Sequence, residues 1–299
     1  MKMRTRLRRA AFFLAGVLGT LVATYGVLVL VASTRPPRPV HDFFNAPVRN
    51  VAHRGGGMLA PEATLAAFEA AARAGADVLE MDVRLSADGA LVVIHDRTVD
   101  RTTDGSGAVG ELRLEELRSL NAGHRFRAPD GGVPYRAERV AIPTFEEVQA
   151  AHPDRPFVVE MKTLDTAGPL CRAIRDAGRE DRTLVAAFGR ESLERFRSAC
   201  PAVATGGSFG EVAAFLALSL GRLAGLYDPP FDALLVSEMS GPLPVVTPRL
   251  LRSARQAGVP VFVWTVNRAD DMRRLLALGV DGVLTDDPAT LSEVIATSP

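Results

Sequence analysis

Asp77–Asp96 reads DVLEMDVRLSADGALVVIHD, two β-rich runs with a short polar turn between them. Asp88-Gly89 is a strong turn signal. A crossover between parallel strands needs about a dozen residues or more, so DVLEMDV (77–83) and LVVIHD (91–96) are predicted to pair antiparallel. Folded symmetrically about Ala87 and Asp88, this hairpin sets His95 opposite Glu80.

On either side of the hairpin the chain alternates short β-rich runs with longer amphipathic ones. The other strand candidates are NVAH (50–53), FVVEMK (157–162), TLVAAF (183–188), AVATGG (202–207), ALLVSE (233–238), VPVFVWTV (259–266) and GVLTDD (282–287). Helix candidates such as TLAAFEAAARAG, ending in Gly75, and TPRLLRSARQAG, ending in Gly258, carry apolar residues at helical spacing and a terminal glycine. Strands joined through helices imply a parallel sheet. With the returning arm set aside, eight strand candidates remain. The predicted fold is therefore α/β, a (β/α)8 barrel of the TIM type with a β-hairpin excursion near its mouth. A doubly wound open sheet is the alternative, and no GxGxxG follows the first strand to support it. Residues 98–156 are expected to form an irregular loop, one or two short helices, and a helix beginning near Thr144.

The 299 residues are 47% hydrophobic, enough for a large core, and carry zero formal net charge, which argues against a nucleic-acid partner. Lys2, Arg4, Arg6, Arg8 and Arg9 precede every acidic residue; removing those five from the 35 Lys and Arg leaves 30 against 35 Asp and Glu. They flank an uncharged run, Ala10 to Ser33, whose helix would span about 36 Å against a hydrocarbon core of roughly 30 Å. The organisation predicted is a basic cytoplasmic flank (1–9), a transmembrane signal-anchor helix (10–33), a Pro-rich spacer (34–47) and one barrel domain (48–299). The body is then extracytoplasmic, or secreted if Val31-Ala32-Ser33 marks a cleavage site. Export permits a Cys171–Cys200 disulfide, and sequence leaves the pairing open.

Charged residues interrupt the apolar strands near their ends. His53 and Arg54 close the first; Glu80 and Asp82, two apart, share one face of the second; His95 ends the returning arm; Glu160 and Lys162 repeat the spacing in FVVEMK. Barrel sites form at the carboxyl ends of the strands. Three unpartnered carboxylates there would repel one another, and a hard divalent cation, Ca²⁺ or Mg²⁺, removes the problem. Arg54 can grip a phosphate in a fork, Lys162 adds a second charge, and two histidines suit acid and base duties. Each residue also has a plainer reading: Lys162 as the neutraliser of Glu160, His95 as a structural histidine. The set as a whole points to phosphoric ester hydrolysis rather than to a glycosidase, which needs neither metal nor arginine.

AHRGG, PEAT, GADVLEMDVRLSADGALVVIHDRTVDRTTDGSG, VVEMK, VWTVN and GVLTDDP, in this order, resemble the glycerophosphodiester phosphodiesterase family from Val48 onward. The resemblance implies a barrel of the TIM type, a divalent cation, and hydrolysis of a glycerophosphodiester to glycerol 3-phosphate and an alcohol. Carried onto this chain, it makes His53 and His95 the acid/base pair, Arg54 and Lys162 phosphate-binding, and Glu80, Asp82 and Glu160 the metal ligands. Trp264 and Phe188 would line the substrate pocket, although both also suit a core. The glycines after Arg54 are expected to admit substrate close to the backbone.

One departure stands out. Where the family usually has Pro-Glu-Asn-Thr, this chain has Pro61-Glu62-Ala63-Thr64, and Ala63 has no side-chain hydrogen bond to offer. Glu62 suits a supporting or helix-start role as well as direct ligation. Three other functions fit the same residues. The first is a membrane-associated lysophospholipase D-type enzyme, with 215–231 as a candidate apolar groove wall, a stretch that an ordinary barrel helix explains equally well. The second is a phospholipase C-type or sphingomyelinase D-type relative. The third is a catalytically impaired, membrane-tethered binding protein.

Overall fold

The computed structural model describes residues 2–46 and 49–297, with backbone alone for 2–11. The domain boundary expected at 47/48, Met1, and residues 298–299 lie outside the described residues. Helix α1 (Lys2–Thr34) takes in both the basic flank and the apolar run, and its stretch Phe12–Thr34 is long and apolar enough to cross a membrane.

The strands are β1 (Asn50–Ala52), β2 (Val78–Leu85), β3 (Leu91–Val93), β4 (Phe157–Met161), β5 (Thr183–Ala186), β6 (Ala204–Thr205), β7 (Leu234–Ser237), a small hairpin of β8 (Met239–Ser240) and β9 (Leu243–Pro244), then β10 (Val261–Trp264) and β11 (Gly282–Thr285). The parallel order is β6-β5-β4-β2-β1-β11-β10-β7. A parallel bridge from Gly206 to Ala233 joins its two ends and closes an eight-stranded barrel. Helices α2 (Leu65–Arg73), α3 (Leu114–Ser119), α4 (Phe145–Ala151), α5 (Ala167–Asp176), α6 (Arg190–Ala199), α7 (Phe209–Leu220), α8 (Pro248–Ala257), α9 (Ala269–Leu278) and α10 (Pro288–Thr297) complete the fold. The (β/α)8 barrel read from the alternating pattern is the observed architecture.

Local sequence explains the elements. Thr144 caps α4 by accepting from Glu147 N at 3.2 Å, while Glu147 accepts from Thr144 N at 2.9 Å, a capping box written as TFEE. Gly258 and Gly279 end α8 and α9 in the left-handed conformation. The hairpin is present, but its register differs by one residue from the expected one. Val83 pairs Val93 and Leu85 pairs Leu91, centring the turn on Asp88. The left-handed Gly89 and the Ser86 N to Ala90 O bond of 3.0 Å set that centre. Continued past the last ladder pair at Val93, this register aligns His95 with Met81 rather than Glu80.

Part of the stretch 34–46 packs on the barrel. A 3₁₀ turn at Asp42–Phe44 buries Phe43 among Val51, Val78, Val158, Leu184 and Phe262, the apolar plug at the amino ends of the strands. Residues 215–231 pack as the end of an ordinary barrel helix and the turn after it: Phe215 and Phe231 are fully buried in the helix–sheet core with Leu234, Leu250 and Val261. Cys171 on α5 and Cys200 after α6 form a disulfide.

Candidate active site

Strand alternation explains the acidic cluster. Val78, Glu80 and Asp82 share the interior face of β2, and Val78 packs in the apolar plug, so the next two positions carry carboxylates up the same face. Asp82 pairs with Glu160 across β2 and β4. Ligand oxygens of Glu80, Asp82 and Glu160 all lie within 4.8 Å of one another. Glu80 and Asp82 are 3% and 1% exposed, deep enough that unpaired charge is unfavourable. Burial and then the charge of Asp82 push Glu80 up to about 8. Burial also raises Glu160, against the pull of Lys162. Lys162 sits between two of the acids, with Nζ 2.7 Å from Asp82 and 2.6 Å from Glu160. Burial would lower its pKa, yet these two charges hold it above the ordinary lysine value.

The two histidines are held alike. His53 Nδ1 lies 2.7 Å from Asp286 Oδ1, and His95 Nδ1 lies 2.7 Å from Asp96 Oδ1. A carboxylate only accepts, so Nδ1 carries the proton in each pair and Nε2 is left to exchange one. Asn267 fixes Asp286 by donating from Nδ2 to Oδ2 at 2.8 Å and accepting from Asp286 N at 2.9 Å. Burial opposes protonation of His53, but Asp286 and the negative charge of Glu80 outweigh it and raise its pKa. Arg84 binds the backbone oxygen of His95 through Nε and Nη2 at 3.1 and 2.9 Å.

Arg54 links these parts. Its backbone N donates to Glu80 Oε2 at 2.7 Å, its Nη1 to Glu62 Oε1 at 3.0 Å, and its Nε stands 3.5 Å from Asp82 Oδ2. That Nε and Asp82 Oδ2 are buried without a hydrogen-bond partner among the described residues. Arg54 and Ala63 both adopt left-handed backbone, φ 50° and 59°, and are tied by an Ala63 N to Arg54 O bond of 2.8 Å. The family's asparagine tolerates this conformation better than alanine does. The first two glycines after Arg54 serve packing instead of substrate approach: Gly55 has φ 77°, and a Cβ there would lie 2.8 Å from the Phe68 ring.

Phe188 and Trp264, from the ends of β5 and β10, meet edge to face with centroids 5.9 Å apart. Phe188 is 57% exposed, so it is not a core residue. A cleft of about 870 Å³ lies elsewhere, on the flank lined by Leu91, Thr144, Gln149 and Arg179, and none of the expected site residues borders it. Sequence reasoning overlooked Asp96, Arg101, Asn267 and Asp286. Asp286 immediately follows β11, and Asp96 and Asn267 follow β3 and β10 within three residues, a position at which polar residues of a barrel warrant the same scrutiny as His53.

Fold and cluster together define a (β/α)8-barrel protein that gathers acids, two histidines and two cations at one end of its strands. The chain belongs to the glycerophosphoryl diester phosphodiesterase family, whose profile matches residues 53–290. It is 38% identical over 254 residues to a glycerophosphodiester phosphodiesterase of Caldanaerobacter subterraneus subsp. tengcongensis, covering 82% of this chain and 96% of that relative. Among solved structures, it resembles a phosphodiesterase domain from Mycobacterium tuberculosis with TM-score 0.73 at 24% identity, covering 82% of this chain and 97% of that one, a likeness of fold. An Oleispira antarctica phosphodiesterase in complex with its product sn-glycerol-3-phosphate matches with TM-score 0.66 at 25% identity, covering 83% and 97%.

Proposed function

We propose that this chain hydrolyses glycerophosphodiesters to glycerol 3-phosphate and an alcohol. One observation carries the reading: three clustered carboxylates, two carboxylate-bound histidines and Arg54, whose backbone N binds Glu80, stand together at the strand ends. Family membership and the product-bound relative support the same substrate class.

Glu80, Asp82 and Glu160 would hold a hard divalent cation, Ca²⁺ or Mg²⁺. The all-oxygen donor set and Asp82 Oδ2, buried without a hydrogen-bond partner among the described residues, fit such an ion. When bound, it supplies charge neutralisation at the phosphodiester and eases deprotonation of a nearby hydroxyl. Arg54, which gives Glu62 only one of its donors, keeps others for a phosphoryl oxygen, and Lys162 adds charge beside it. One histidine Nε2 takes the proton of the attacking hydroxyl, and the other returns a proton to the leaving oxygen. Phe188 and Trp264 offer an apolar wall to the glycerol or alcohol moiety.

Helix α1 is read as a membrane anchor, with the barrel exported. Its 23-residue apolar stretch of mean hydropathy 2.2 supports an anchor or a signal sequence. The Cys171–Cys200 disulfide supports an oxidising compartment.

The test is release of glycerol 3-phosphate by the full chain from glycerophosphocholine, glycerophosphoethanolamine and glycerophosphoglycerol, beside lysophosphatidylcholine. Turnover of at least one of the first three, falling on the order of 10²- to 10⁴-fold in His95→Ala, is expected. Turnover of lysophosphatidylcholine alone would replace this reading with the lysophospholipase one.

A further inference from the structure

We infer that Arg101 is a positioning residue that sets the orientation of His95 and the availability of Arg54 at the same time. This rests on the proposed roles of those two residues. Arg101 lies in the loop after β3 and spends its guanidinium on two carboxylates. Nε donates to Asp96 Oδ2 at 2.5 Å, while Nη1 and Nη2 donate to Glu62 Oε2 and Oε1 at 2.8 and 2.6 Å. Each carboxylate passes the contact on. Asp96 uses its other oxygen for His95 Nδ1 at 2.7 Å, and Glu62 Oε1 also accepts Arg54 Nη1 at 3.0 Å.

The geometry of the fork matters more than its charge. With Oδ2 pinned by Arg101, the Asp96 carboxylate cannot rotate, so Oδ1 holds the imidazole in one tautomer and one plane. Glu62, gripped by both terminal nitrogens of Arg101, has one contact left for Arg54. Without Arg101, both Glu62 oxygens could close on Arg54 in a bidentate pair and compete with a phosphate for the same donors. All partners are charged as this requires. Despite burial, the hydrogen bonds from Arg101 and His95 hold Asp96 at about 2, and the same arginine keeps Glu62 below the usual carboxylate range. A flexible ammonium cannot serve both carboxylates in one plane.

Arg101→Met, Arg101→Lys and Glu62→Gln are to be compared with wild type by steady-state kinetics on glycerophosphocholine, by calorimetry with glycerol 3-phosphate, and by ¹⁵N NMR of the His95 ring. Arg101→Met is expected to lower kcat at least tenfold, to weaken glycerol 3-phosphate binding several-fold and to move the His95 ring signals. Arg101→Lys should recover part of the binding but little of kcat. Glu62→Gln should alter binding while leaving the ring signals in place. Should Arg101→Met not fold, the contrast between Arg101→Lys and Glu62→Gln carries the same information. Unmoved His95 signals with kcat within twofold of wild type would overturn the inference. So would equal losses in Arg101→Lys and Arg101→Met with those signals unmoved, which indicate a loop brace. If wild type turns over no glycerophosphodiester, the proposed function fails, while the ring signals still judge the Arg101–Asp96–His95 link.

Discussion

Asp286 Oδ1 sits 2.7 Å from His53 Nδ1, a carboxylate from the end of the last barrel strand holding a histidine from the end of the first. Because β1 and β11 are hydrogen-bonded neighbours, the pair is adjacent in the barrel although far apart in sequence. The carboxylate raises the histidine pKa above its ordinary 6.5 in spite of burial. Asp286→Asn should therefore move the limb of the pH–rate profile that reports His53 to lower pH, whichever proton His53 handles, and lower kcat at least about tenfold. A raised folded pKa stabilises most below the unfolded value, so wild type should gain most over Asp286→Asn below about pH 6.5 and lose that margin as pH rises. A profile that does not move would separate His53 from the chemistry.

Ala63 is held at φ 59°, a conformation that costs an alanine about 1 kcal/mol or more. Ala63→Asn should recover about 1 kcal/mol and raise the unfolding midpoint by roughly 2–4 °C. Because Ala63 is 6% exposed, a lowered midpoint would mean that the amide finds no room beside Phe68 and its neighbours.

The disulfide closes a loop with a sequence separation of 29. Loop-closure entropy assigns such a link about 3–4 kcal/mol. Reductant, or Cys171→Ser with Cys200→Ser, should lower the midpoint by about 10 °C. Both cysteines lie on the outer helix layer, so turnover at 25 °C should persist; parallel loss of activity and stability would argue against that separation.

Phe188 is exposed and touches Trp264 edge-on. Phe188→Ala should raise KM about fivefold, from about 1 kcal/mol of lost aromatic contact, with the unfolding midpoint unchanged. An unchanged KM would remove Phe188 from the substrate wall.

What could be read from sequence follows from what is local. Period-two alternation sends Glu80 and Asp82 to one face, and β-branched runs split by helical ones announce the barrel, because both signals sit within a few residues. The one-residue register difference at His95 arose because Asp88-Gly89 locates the turn while Ser86 and Ala90, which bond across it, fix its centre. Asp286 and Asn267 were legible only by position, each within three residues of a strand end; that they serve His53 depends on β10, β11 and β1 lying side by side in the closed barrel. Phe43 was hidden for the same reason. Two phenylalanines in a proline-rich stretch show nothing of the apolar floor they cover until the strands surround it.

Glu80, Asp82 and Glu160 are proposed to serve a divalent cation in phosphodiester hydrolysis. The most direct test of that role is the turnover of glycerophosphocholine, or the preferred substrate among the four named above, by the full chain before chelation, after it, and after return of Ca²⁺ or Mg²⁺. Chelation should abolish turnover, and one of the two ions should restore it in wild type but not in Asp82→Asn. Turnover untouched by the chelator would contradict that role.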